Sequence, residues 1–106
     1  MEFNQILKRR MELIEEVLGA KAQEYASNTD RYHNFRVAAR MLNTIPEKAL
    51  IGMLVKHLVS VFDIINSLDG CVRHTTLTKE LVDEKIGDSI NYLVLLEGLL
   101  RERIGV

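Results

Sequence analysis

The chain has 106 residues, of which 47% are apolar and 27% charged, the balance of a soluble globular protein. This length favours one domain over residues 1–106. Lys plus Arg total 14 and Asp plus Glu total 15, so the net charge is −1, which argues against a binder of nucleic-acid polymers. The one cysteine, Cys71, cannot form an internal disulfide, and no uninterrupted apolar run approaches the ~20 residues that cross a bilayer. We therefore expect a cytoplasmic protein without a membrane partner.

The spacing of apolar residues is helical throughout and predicts an all-α domain of four helices, three long and one short. Gly19 lies inside the first predicted helix. Pro46 suits the first turn of the third, and Thr78 is the expected N-cap of the fourth. The expected helices are about Asn4–Tyr25, Tyr32–Leu42, Pro46–Leu68 and, after Thr78, a helix that ends near Arg103.

The third helix is unusual because apolar residues cover nearly its whole circumference between Leu50 and Ile65. A helix that is apolar all round is buried on all sides, and a domain of only four helices can hardly enclose it. A second copy of the chain is the simplest cover. We therefore predict a homo-oligomeric helical bundle, with a dimer as the first choice and a tetramer as the alternative.

A polar stripe runs along the same helix at spacings of four, three and four residues. Its members are Lys56, Ser60, Asp63 and Ser67, and His57 lies next to it. An ammonium group can contact phosphate and do part of a metal's work, so Lys56 and His57 are candidate phosphate contacts. Their structural alternatives are a counter-ion and an interior histidine. Asp63 is either a metal ligand or a structural residue.

The fourth helix carries a second polar stripe. Its members are Glu80, Glu84, Asp88 and Asn91. Like charges four residues apart destabilise an isolated helix by roughly 0.2–0.5 kcal/mol, so Glu84 and Asp88 call for a positive charge nearby, either a side chain such as Lys56 or a cation. Carboxylates at this spacing suit Mg²⁺, which is held by carboxylates, waters and substrate phosphates. The alternative is an ion-pair network with Lys56 or Lys85.

Aromatic and polar residues are dense only around the short second helix. Aromatic faces stack on bases, Asn amides read base edges, and Arg or His contacts phosphate. The structural alternative is that Phe35 belongs to the core, Tyr25 packs under the loop and Asn34 caps a helix. The candidates for nucleotide binding are Tyr25, His33, Asn34, Phe35 and Arg36.

The run EKIGDSINYL at residues 84–93 resembles the C-terminal metal-binding helix of the MazG-like all-α nucleotide pyrophosphohydrolases. Residues 24–25, 31–36, 46–50 and 56–57 are similar to a small phage-type branch of that superfamily. The resemblance implies a helical dimer or tetramer, Mg²⁺ held by carboxylates of two helices, and a nucleoside triphosphate cut to monophosphate and pyrophosphate. On this chain it implies Glu84 and Asp88 as catalytic residues, Mg²⁺ on these two and Asp63, and Asn91 near the substrate.

The chain departs from this family where the first metal helix usually offers a Glu-Glu-x-x-Glu arrangement. Lys56, His57, Ser60 and Asp63 stand there instead, and Lys85 replaces a frequent second glutamate on the fourth helix. Three functions are therefore expected as alternatives. They are a Mg²⁺-dependent triphosphate pyrophosphohydrolase, a non-catalytic protein that binds or sequesters a nucleotide, and a structural helical oligomer.

Overall fold

The computed structural model describes residues 1–19, 30–68 and 77–106, and these residues form four helices and no strand. The prediction of an all-α chain is confirmed for this part. The helices, numbered in chain order, are α1 (Phe3–Leu18), α2 (His33–Met41), α3 (Pro46–Leu68) and α4 (Lys79–Ile104).

The helix ends follow local sequence signals, with one correction. The first helix was predicted to continue through Gly19 to Tyr25, and this is wrong, because α1 ends at Leu18 and Gly19 is its extended C-cap residue. Glycine is a poor helix former, and the Arg31 guanidinium donates to the Leu18 carbonyl oxygen at 2.7 Å. Thr78 is the N-cap as predicted, since its Oγ1 accepts from the Leu81 backbone N–H at 3.1 Å.

The helices pack around the α3–α4 pair. These two helices are antiparallel, since Glu47 near the start of α3 pairs with Arg103 near the end of α4, and His57 pairs with Asp88 further along. The short α2 packs on α3, and α1 lies along α4. The core forms where α2, α3 and α4 meet. Its buried apolar residues are Phe35, Leu50, Leu54 and Leu99, with Tyr32, Met53, Tyr92, Leu95 and Leu96 packed against them.

The two sides of α3 have different surroundings. The inner stripe faces the core. It consists of Leu50 and Leu54, which are buried, and His57, Val61 and Ile64, which are half-buried. The outer stripe is equally apolar, but every member is exposed to solvent. It consists of Ile51, Val55, Leu58, Phe62 and Ile65.

The helix α3 is also long and apolar enough to cross a bilayer, by length and composition alone. It has 23 residues, and an 18-residue window reaches a mean hydropathy of 1.6. The core helix of a soluble protein has the same length and composition. These two properties therefore do not distinguish a membrane-spanning helix from a core helix.

Candidate functional site

Predicted site residues from three helices meet around the Tyr92 ring. His57 of α3 lies on it with ring centroids 4.8 Å apart and planes 30° from parallel. Phe35 of α2 meets it edge-on at 5.9 Å. On the other side of His57, its Nδ1 lies 3.5 Å from Asp88 Oδ2. We call Phe35, His57, Asp88 and Tyr92 the Tyr92 cluster.

The polar end of the Tyr92 cluster is accessible from solvent. The side chain of His57 is 26% exposed and that of Asp88 is 38% exposed, whereas Phe35 behind them is buried. The cluster thus has an apolar aromatic floor and a polar rim with one carboxylate and one imidazole. Sites for small ligands likewise combine apolar side chains with a few polar groups.

Asn91, another predicted site residue, directly precedes Tyr92 in α4. Its Oδ1 is buried and has no hydrogen-bond partner among the described residues. A buried acceptor without a donor costs about 1–3 kcal/mol. A ligand or a second chain that supplied a donor here would remove that cost.

The predicted magnesium ligands do not come together in one subunit. Glu84 is exposed and lies 3.6 Å from the Lys85 ammonium, while Asp88 is with His57. Asp63 is exposed on α3. Across residues 1–19, 30–68 and 77–106, no three His, Cys, Asp or Glu side chains are grouped so that they could hold a metal ion. The carboxylates of one chain, as far as it is described, do not fit a Mg²⁺ cluster.

Lys56 lies apart from the acidic stripe of α4. It is exposed, and the two α4 carboxylates contact other side chains, with Lys85 beside Glu84 and His57 beside Asp88. In the part of the chain that the structure describes, Lys56 and Asp63 make no ion pair. Both present their charge on the surface of α3.

Arg36 is engaged in a charged network at the other end of α4. It donates to Asp30 at 2.9 Å and to Glu102 at 2.8 Å, and its guanidinium lies 5.6 Å from the centroid of the Tyr32 ring. Hydrogen bonds to Glu102 and Asp30 raise the pKa of Arg36. The network holds the start of α2 against α4, and Arg36 is not part of the Tyr92 cluster.

The other predicted nucleotide contacts are less informative. His33 and Asn34 are exposed at the first turn of α2. Tyr25 lies outside the described residues. Of the four residues proposed around α2 that the structure describes, only Phe35 is in the Tyr92 cluster.

An ion pair between the buried Glu47 and the half-exposed Arg103, which sequence reasoning missed, joins α3 to α4. The Arg103 guanidinium donates Nε to Glu47 Oε2 and Nη2 to Glu47 Oε1, the latter at 2.9 Å. The Glu47 side chain is 10% exposed, and the hydrogen bonds from Arg103 lower the pKa of its carboxyl group. The partners are 56 residues apart in the chain, so only the antiparallel register of the two helices reveals the pair.

No family model matches the chain, and neither the curated proteins nor the solved structures gave a match. What the chain does is therefore proposed from the Tyr92 cluster and from the exposed face of α3.

Proposed function

We propose that this chain is a nucleotide-binding helical protein that works as a homo-oligomer, with its binding site at the Tyr92 cluster. One observation carries the proposal. His57, Asp88 and Phe35 were singled out separately in the sequence as substrate or metal contacts, and in the fold they meet around one aromatic ring. The resemblance to MazG-like pyrophosphohydrolases suggests a nucleotide as the ligand.

The groups at the rim suit the polar parts of a nucleotide. A carboxylate such as Asp88 accepts hydrogen bonds from ribose hydroxyls or base amino groups, and the imidazole of His57 donates to phosphate oxygens. The aromatic floor offers apolar contact to a base.

Binding without turnover is the form of the proposal that the geometry favours. Hydrolysis of a triphosphate with Mg²⁺ needs carboxylates gathered around the metal and the phosphates. In this chain Glu84 contacts Lys85 and Asp88 contacts His57. Glu84 and Asp88 are thus already in contact with side chains of their own chain, and a sequestering site is the better supported form of the proposal.

The extent of exposed surface supports the homo-oligomer. The chain exposes 8048 Å², whereas a compact monomer of 12.1 kDa exposes about 6,000 Å². Its radius of gyration is 16.2 Å, against about 13 Å for a compact domain of this length. A permanent dimer buries about 1,000–2,500 Å² per subunit. The excess surface is thus of the size that a second copy would cover, and the outer stripe of α3 is an exposed apolar part of it.

The experiment is incubation of the protein with a panel of ribo- and deoxynucleotides and Mg²⁺, followed by ion-exchange chromatography of the filtrate. We expect stoichiometric loss of one nucleotide, which is recovered intact when the protein is denatured. Many turnovers to monophosphate and pyrophosphate would overturn the non-catalytic form. An unchanged panel would contradict nucleotide binding and favour a purely structural oligomer.

A pair of matched variants tests the position of the site. Asp88→Asn removes the carboxylate of the Tyr92 cluster, and we expect it to weaken nucleotide retention by about tenfold, the loss of one charged hydrogen bond. Asp83→Asn is the control, because Asp83 lies on the same helix and its carboxylate contacts the exposed Lys79 at 3.8 Å. Equal retention by the two variants would place the site elsewhere.

A further inference from the structure

A groove with mostly apolar walls runs between α1 and the first half of α4. Its volume is about 670 Å³, within the range of about 300–1,000 Å³ for small-molecule sites. No residue of the Tyr92 cluster lines it, and much of its apolar surface is exposed to solvent. The walls include Phe3, Ile6 and Leu13 of α1 and Val82, Ile86 and Ile90 of α4.

One cation in this groove has no carboxylate partner among the described residues. Arg10 is half-buried, and two of its N–H groups share the backbone carbonyl oxygen of Asp83, both at 3.3 Å. The other two cations of the groove are paired. Arg9 lies 3.9 Å from Glu12. Lys79 lies 3.8 Å from the Asp83 carboxylate. A guanidinium has more N–H donors than the two that Arg10 uses, so the rest have no partner within the described chain.

Gly87 of α4 makes room for Arg10. It is buried, and a Cβ added to it would lie 2.6 Å from Arg10 Nη1. The missing side chain lets the guanidinium lie directly on the α4 backbone, where it forms part of the groove lining. Burying a charge is costly unless an opposite charge pairs with it. Arg10 therefore predicts an anionic group in whatever fills the groove.

We infer that the groove binds a fatty acid, with its carboxylate on Arg10 and its apolar chain between α1 and α4. A planar guanidinium matches a carboxylate through two parallel hydrogen bonds. A carboxylate carries one negative charge, which balances one unpaired cation, whereas a phosphate monoester carries about −1.5 to −2. From Lys79 to Ile90 the groove follows α4 for about 16 Å, which accommodates a single acyl chain. This site goes beyond the proposed nucleotide site and shares no residue with it.

A second copy of the chain fits this groove less well than a fatty acid does. In a two-fold interface the same surface of both subunits meets. A partner seated here would bring three more cations and only one carboxylate, that of Asp83, which is already beside Lys79. The outer stripe of α3 has no charged member, so it suits a second copy better.

Isothermal titration calorimetry with decanoate, below its micelle concentration, tests the site. We expect saturable binding of one decanoate per chain. Decan-1-ol has the same apolar chain without the charge, and we expect it to bind about tenfold more weakly, the loss of one charged hydrogen bond. No binding, uptake of many decanoates without saturation, or equal affinity for the acid and the alcohol would overturn the inference. A chain that retains a nucleotide but does not bind decanoate contradicts this inference alone.

Removal of the guanidinium tests where the carboxylate lies. Arg10→Met keeps an apolar side chain in the groove, and we expect it to weaken decanoate binding by about tenfold while leaving decan-1-ol binding unchanged. Lys8→Met is the matched control, because Lys8 is exposed on the same helix and does not line the groove. It should bind decanoate as the wild type does. Equal decanoate affinities of the two variants would overturn the inference.

A second variant tests the site with Arg10 in place. Ile6 is exposed and precedes Arg10 by four residues, the spacing at which a glutamate pairs with a following cation on one helix. Ile6→Glu should therefore keep its helical circular dichroism and compete with decanoate for Arg10, weakening binding by about tenfold. Asn4→Glu, four residues before Lys8 and outside the groove lining, adds the same charge and should leave binding unchanged. Equal binding by the two glutamate variants would overturn the inference.

Discussion

The inner and outer faces of α3 are built from the same kinds of side chain but have different surroundings. Leu50 on the inner face has no exposed surface, while Leu58, eight residues on, is 39% exposed. The inner face also carries His57, which contacts Asp88 and Tyr92, whereas the outer stripe is wholly apolar. Hydropathy identifies a helix face that other residues must cover. A polar residue within an apolar face, such as His57, indicates that this face is the one covered by the rest of its own chain.

The same substitution on the two faces gives the largest expected contrast. Leu50→Ala leaves a cavity in the core, and we expect it to lower the free energy of unfolding by about 2–5 kcal/mol. Leu58→Ala removes the same atoms from an exposed position. In dilute protein solution the free energy of unfolding of this variant should therefore stay within about 0.5 kcal/mol of that of the wild type. Chemical denaturation at several protein concentrations measures the free energy of unfolding of both variants. Equal losses in dilute solution would mean that the inner and outer faces of α3 are packed equally well within the chain.

Two glycine substitutions sharpen the contrast between packed and open helix surface. At Gly98 an added Cβ would collide with the Tyr32 hydroxyl oxygen, so Gly98→Ala must displace the Tyr32 ring. We expect a loss of about 1–3 kcal/mol. At Gly52 the space is open, and Gly52→Ala should add up to about 1 kcal/mol through helix propensity. Thermal unfolding of the two variants checks the opposite signs.

The pH dependence of stability tests the Glu47–Arg103 contact that joins α3 to α4. Arg103 lowers the pKa of Glu47 from its ordinary 4.5, so the folded state binds this proton more weakly than the unfolded state. The stabilisation is therefore present above about pH 4.5 and is lost as the pH falls through the lowered pKa.

Glu47→Gln is the variant for this contact. We expect it to cost about 1 kcal/mol at pH 7, at the low end for a charged hydrogen bond because Arg103 is half-exposed. The difference in free energy of unfolding between the wild type and this variant should become smaller as the pH is lowered. The stability of the variant should still depend to some extent on acid pH, because the pKa of Asp30 is also lowered, first by the Tyr32 backbone N–H. A difference that is independent of pH would contradict the assignment to Glu47.

Local signals were enough to predict most of the fold. Pro46 and Thr78 set the starts of α3 and α4 because a proline in the first turn and a hydroxyl N-cap act within one helical turn. The end of α1 was missed because the apolar spacing in the sequence continues to Tyr25, across the low helix propensity of Gly19. The apolar pattern thus predicts which segments are helical. The position at which α1 ends depends on Gly19 and on the hydrogen bond from Arg31.

The candidate site was only partly predictable, because its contacts join distant parts of the chain. Asp88 and His57 were both singled out, but their pairing follows from the register of α3 on α4. Tyr92 was not proposed as a contact, although it lies one turn after Asp88. Arg36 was proposed for phosphate, yet its partner Glu102 is 66 residues away, and no local pattern indicates such a pair.

The most direct test of self-association through the outer stripe of α3 is the mass of the protein in solution. Sedimentation equilibrium over a range of concentrations measures this mass for the wild type and for the variant Phe62→Glu. Phe62 lies on the outer stripe and has little contact with the rest of its chain, so the variant should keep its helical circular dichroism. We expect a mass that rises to twice 12.1 kDa for the wild type and stays at 12.1 kDa for Phe62→Glu. A wild type at 12.1 kDa at every concentration would contradict it.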